Sequence, residues 1–187
     1  TSLTSTNAGN IGFGATVHGA FALTTSTTGD TTFTGAVGGT AALTELTVST
    51  GTFSAAAISL ATGSALSITN SGAGTISGII AGSGVTLTKV GAGVLTLSGA
   101  NTYNGQTFVN AGTLRVASAA ALGTATSGPA DSTIVANGAT LEVNLGAGAI
   151  LNEAITINGT GVNNAGALSF TNSVANRMQG AITLVSD

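Results

Sequence analysis

The sequence predicts an all-β chain wound as a parallel solenoid. Three observations predict it: short apolar–polar alternations, glycine-rich breaks between them, and internal repetition at one period. The alternations are "FAL" at 21–23, "LTV" at 46–48, "LSI" at 66–68, "VTL" at 85–87, "LTL" at 95–97 and "LRV" at 114–116. Each places two apolar side chains on one face of a short strand, and a Gly, Asn or Ser cluster follows closely. No window of usable length carries a helical stripe. Such strands would suit a sandwich or a barrel equally well, so repetition decides. "NAGTLRV" from Asn110, "NGATLEV" from Asn137 and "NAGALSF" from Asn164 recur with a period of 27, and "AITI" from Ala154 recurs as "AITL" from Ala181 at the same interval. Two phases with one period imply successive coils of one winding.

In a coil model equivalent residues stack at about 4.8 Å. Leu114, Leu141 and Leu168 then form an interior ladder, with Val116, Val143 and Phe170 beside it. Asn110, Asn137 and Asn164 form an asparagine stack at one corner, where Asn tolerates left-handed backbone. The ladder is followed back through Leu87, Ile68, Val48 and Leu23, in steps that shorten from the full period and so require corners of variable length. About seven coils result, or roughly 30–35 Å of rod. "GTATSGPADST", 123–133, interrupts the second phase and is expected to bulge out as a loop. Phe13, Phe21, Phe33, Phe53 and Phe170 alternate inward as core, and Tyr103 and Phe108 pack a corner.

The coil model also accounts for composition. Charged residues are 5% of the chain, about a fifth of the usual share. A charge repeated at one outward position would meet its copy about 5 Å away, a repulsion near 1 kcal/mol in water; Thr and Ser avoid it and suit the pleat. Arg115 and Glu142 are the informative exception, one period apart with opposite signs. They are expected to be cross-strand neighbours, with Cβ atoms within about 8 Å.

The 29 glycines against one proline, Pro129, read as tight turns in an ordered chain. With three cations (Lys89, Arg115, Arg177) and a net charge of −3 there is no basic patch for nucleic acid. The absence of Cys fits a reducing compartment and equally a protein exported without disulfides. The longest apolar stretches fall short of the roughly 20 residues of a membrane helix. With neither an initiator Met nor a targeting segment, residues 1–187 read as one solenoid segment cut from a longer protein.

"LTKVGAGVLTLSGANTYNGQTFVNAGTLRV", Leu87 to Val116, resembles the passenger-associated strand repeat of bacterial autotransporters. The resemblance rests on the Leu-Thr-Lys start, a Gly-rich turn, "LTLSG", "NTY.G" and "VNAGTL.V"; Val94 and Phe108 stand where that family often has Thr. The first half, from "NIGFGATVHGAFAL" onward, resembles a repeat of giant bacterial surface proteins. Together these imply a right-handed parallel β-helix, part of a long passenger or adhesin exported through the outer membrane and displayed on the cell surface.

Reactive groups are sparse. The sole histidine, His18, has Asp30 and Glu45 as its nearest acids in sequence, and no second His completes a metal set. The remaining acids are Asp131, Glu142, Glu153 and Asp187. A polysaccharide-acting β-helix enzyme needs a clustered pair of carboxylates, or an acid and a strong cation, in a groove. Glu142 and Glu153 could share a coil, but Arg115 already claims Glu142. "GAGTISG" from Gly72 and "GAGVLTLSG" from Gly91 lack the helix that a phosphate loop requires and read as turns. The sequence therefore nominates no catalytic, metal or cofactor residue. It points to a non-enzymatic stalk or passenger segment of an extracellular adhesin or autotransporter. Its partners would be neighbouring coils of its own chain, with host or surface ligands as further candidates. The alternative is a filament or sheath subunit that stacks end to end with identical copies; a polysaccharide-acting enzyme comes third.

Overall fold

The structure, a computed structural model, describes residues 1–6, 8–124, 131–172 and 177–185. It is a parallel β-solenoid of about seven turns. Each turn contributes one strand to each of two long sheets, because the sequence alternates for a few residues, breaks at a corner and alternates again.

The first sheet runs in the order Ser2–Thr4, Ala22–Ser26, Leu43–Thr50, Ile58–Asn70, Thr86–Val90, Thr107–Val109, Thr133–Val135, Ile155–Asn158 and Ile182–Val185. The second comprises Ile11–Phe13, Asp30–Phe33, Thr52–Ala55, Gly74–Ile76, Val94–Leu97, Thr113–Val116, Thr140–Val143 and Leu168–Phe170. All pairings are parallel among the described residues. A narrower third side is built by bridges joining Val17, Val37 and Ile58, then by Ile58–Ser59 against Ile80–Ala81.

Period-two alternation fills the tube. Leu23, Leu46, Leu66 and Leu87 stack inside the first sheet in strict register, and all are buried. The second sheet stacks Leu95, Leu114, Leu141 and Leu168, with Val116, Val143 and Phe170 alongside. Near the other end Phe13 and Phe33 lie in parallel stacking at 4.5 Å between ring centroids, and Phe53 meets Phe33 edge-on at 6.3 Å. Such aromatic pairs add to the stabilisation given by burial alone.

The fold corrects several expectations. The ladder traced back from Leu114 to Leu87 crosses between sheets: Leu114 pairs with Leu95 in the preceding coil, whereas Leu87 pairs with Leu66 and Thr107. Both strands of that stretch are Leu-rich with the same alternation, so a step of one and a half turns imitates a step of one. The stretch from Leu87 to Val116 accordingly draws on four strands.

The asparagine stack is also replaced. Left-handed backbone falls on Gly112 (φ 67°) and Gly138 (φ 77°) in the first two copies, and on Asn163 (φ 51°) and Asn164 (φ 60°) in the third. Asn164 closes a 3-10 turn, Val162–Asn164, and accepts a 2.6 Å bond from Thr160. The corner after Ile155–Asn158 is longer than those below it, so equal sequence spacing does not bring Asn164 over Asn137.

Phe170 lies on the last described strand of the second sheet and is 48% exposed, not core. Phe21 is only partly buried against the core. Phe108 faces outward between Thr88 and Ile134. Of the expected loop, residues 125–130 lie outside the described residues. Beside them Asp131 and Ser132 are buried and Thr133 opens a strand.

Candidate functional site

The expected Arg115–Glu142 neighbours are in register one coil apart. Arg115 donates from Nε to Oε1 at 2.8 Å and from Nη2 to Oε2 at 3.1 Å, and Thr171 donates to Oε1 at 2.7 Å. Burial works against the Glu142 charge, but the bonds from Arg115 and Thr171 and the Arg115 charge hold its carboxyl below the usual range. The Arg115 side chain is 37% exposed, so solvent screens the pair. A double-mutant cycle with Arg115→Ala and Glu142→Ala should return a coupling of about 0.5–1 kcal/mol. Because the folded carboxyl is the stronger acid, that stability is present above its unfolded pKa and lost on acidification through the folded one.

The other sequence candidates disperse. His18 is exposed beside the Val17 bridge. Asp30 accepts a 2.6 Å bond from Thr52 in the next coil, and exposed Glu45 accepts from Thr47 at 3.0 Å. Asp187 lies outside the described residues. Glu142 and Glu153 are not a pair: one lies on the second sheet with Arg115, the other at a different corner with Thr133. Among the described residues no pocket opens and no three potential metal ligands cluster. The glycine runs from Gly72 and Gly91 are corners leading into second-sheet strands.

What sequence reasoning missed is how polar side chains of the 87–116 stretch turn into the coil and bind the backbone of its neighbours. Lys89 takes a position between Ile68 and Val109, and the residue is completely buried. Its stem follows the core while the ammonium reaches a corner, donating to the carbonyls of Val90 (2.7 Å), Gly91 (2.7 Å) and Ala111 (3.2 Å). Burial lowers its pKa to about 8. The three acceptors belong to two successive corners, so one side chain ties them together.

Asn70 serves the same corner one coil earlier, donating from Nδ2 to Gly72 O at 2.6 Å and Val94 O at 3.0 Å. Thr50, in register with Asn70, donates to Gly29 O at 3.0 Å or Thr52 O at 2.7 Å. A file of inward polar side chains therefore closes this edge of the solenoid, as buried turn carbonyls require.

Asn101 performs the equivalent task on the third side. Its Oδ1 accepts from Ile80 N at 2.8 Å, its Nδ2 donates to Ala121 O at 2.5 Å, and its own N–H reaches Ala120 O at 2.9 Å. One asparagine thus links three coils where no strand pairing is available. Tyr103, expected at a corner, is wholly buried and shares a 2.8 Å hydrogen bond with Thr107. Burial pushes its hydroxyl pKa up. Thr107 and Thr133 continue the interior rank that Leu23 to Leu87 began; the change to Thr supplies partners for Tyr103 and, through a 2.7 Å bond, for Glu153.

The first-sheet exterior is correspondingly bland. Ser2, Thr24, Thr47, Ser67 and Thr88 form one rank in register, and Thr4, Ser26, Ser49 and Thr69 form a second. Residues 87–116 match the family model of the passenger-associated-transport-repeat, so the segment containing Lys89, Asn101 and Tyr103 is a repeat of that kind. No curated protein and no solved structure matches the chain. Among the described residues no helix is long and apolar enough to cross a membrane.

Proposed function

We propose that this chain is a non-enzymatic structural segment of a bacterial autotransporter passenger or adhesin: a stiff extracellular stalk at the cell surface. The observation that carries the reading is the use of the repeat's polar groups. Lys89, Asn101 and Tyr103 all point inward, where their donors and acceptors are taken up inside the solenoid: Asn101 by the coils on either side, Lys89 by its own corner and the next, and Tyr103 by Thr107. Within the segment that carries the family resemblance, polar chemistry is devoted to stacking. Such a solenoid folds by nearest-neighbour contacts, each coil templating the next, which suits a chain that becomes ordered outside the cell without disulfides.

Circular dichroism, sedimentation and electron microscopy of the purified chain test this directly. A β-rich spectrum with little helix and a monomeric rod at every concentration are expected. Ordered fibres that grow with concentration would replace the stalk by a self-assembling subunit. Polysaccharide cleavage that vanished on substituting Asp131 or Glu153 would replace it by an enzyme.

A further inference from the structure

We propose that the corner containing Asp131 and Glu153 is a proton-operated latch between successive coils, closed while the two carboxyls hold a proton and loosened when both are ionised. Thr133 lies opposite Ile155 in the first sheet. The same register carried two residues back places Asp131 opposite Glu153, on the inward side. Both are buried, at 4% and 1% exposure. Glu153 Oε1 accepts a 2.7 Å bond from Thr133, while Oε2 has no hydrogen-bond partner among the described residues.

The groups facing Glu153 come from every neighbouring coil. Asp131 and Thr133 lie on the coil before, and Gly180 follows, at a point where a Cβ would run into Glu153 O. The Tyr103 hydroxyl, bonded to Thr107, is close enough for its titration to feel the Glu153 charge. The Lys89 ammonium is engaged by three carbonyls and the Arg115 guanidinium by Glu142.

Two buried carboxylates on neighbouring coils repel, so that the pair favours holding a proton. Burial pushes Glu153 up to about 7, the Thr133 bond opposes this, and the Asp131 charge reinforces it. Since the folded pKa lies above the unfolded one, the proton's contribution to stability is complete below pH 4.5 or so and is lost as the pH rises through about 7. The coils joined by Thr133–Val135 and Ile155–Asn158 therefore open more readily on the alkaline side of neutrality.

Amide hydrogen exchange of the whole chain from mildly acidic to mildly alkaline pH, corrected for intrinsic rates, is the test. The opening constants at Thr133 and Ile155, whose N–H groups bond to Ala154 O and Ala181 O, should rise by on the order of ten- to a hundredfold. Those at Leu66 and Leu87 should stay level. Glu153→Gln should abolish the rise. Asp131→Asn should move its midpoint to lower pH, because removing the repelling charge makes Glu153 the stronger acid. Constants that stay level in the wild type, a rise that survives Glu153→Gln, or a midpoint that Asp131→Asn moves upward or leaves in place would each overturn the proposal. Asp131→Asn keeps it testable if Glu153→Gln fails to fold.

Discussion

Lys89→Met should lower the free energy of unfolding by about 3 kcal/mol in urea denaturation near neutral pH. Methionine can occupy the apolar course of the lysine stem between Ile68 and Val109, so the loss is confined to the head group. It strands the carbonyls of Val90, Gly91 and Ala111 at two successive corners, and each buried acceptor left without a donor costs about 1–3 kcal/mol. Relief of the buried charge offsets part of that. The variant should also behave differently with pH. Burial holds the folded amine at about 8, below its ordinary 10.5, so the unfolded chain binds more protons between those values and wild-type stability rises across that window. Lys89→Met lacks this rise. The window is distinct from that of Glu153, where stability falls on the way up to about pH 7.

The solenoid was legible because its interior is written in period-two alternation, which survives translation from sequence to structure residue by residue. The repeat interval paired Thr113 with Thr140 and Leu141 with Leu168, and it placed Arg115 against Glu142 as expected. Corners were less legible. Their length varies, so a repeat interval fixes the strands without fixing which corner residues stack, as Asn164 shows by entering a 3-10 turn.

Inward polar residues were the least legible. Lys89 reads in sequence as one of only three cations, and only the alternation Leu87, Lys89 hinted that it shares the apolar face. The acid pair escaped for a related reason. Asp131 and Glu153 stand closer in sequence than one repeat interval, and the register that aligns them depends on a coil of a different length. Carboxylates that were each weighed singly, or against Glu142, become neighbours only through that pairing.

Gly93→Ala should be among the most damaging single-methyl changes in the repeat, destabilising the chain by about 3 kcal/mol or more. A Cβ at this position would overlap Gly72 O outright and lie 2.7 Å from Asn70 Nδ2 and 2.9 Å from Asn70 O. These atoms belong to the corner of the preceding coil. Gly72 O itself accepts from Asn70 Nδ2, so it cannot retreat without breaking the bond that closes that corner. The distance between coils is meanwhile fixed at about 4.8 Å by the strand pairing on either side. The methyl group must therefore pry two coils apart or abandon the Asn70 bonds. Gly138→Ala separates this effect from backbone strain: Gly138 has φ 77°, yet nothing lies within 4 Å of its Cβ position, so only the left-handed conformation is penalised, at about 1–2 kcal/mol. Gly146→Ala, with neither a neighbour within 4 Å nor positive φ, should be close to neutral. Urea midpoints in the order Gly146→Ala above Gly138→Ala above Gly93→Ala would establish that close approach of one coil to the next costs more than a left-handed turn; a loss at Gly93, which has no positive φ, no larger than that at Gly138 would overturn this.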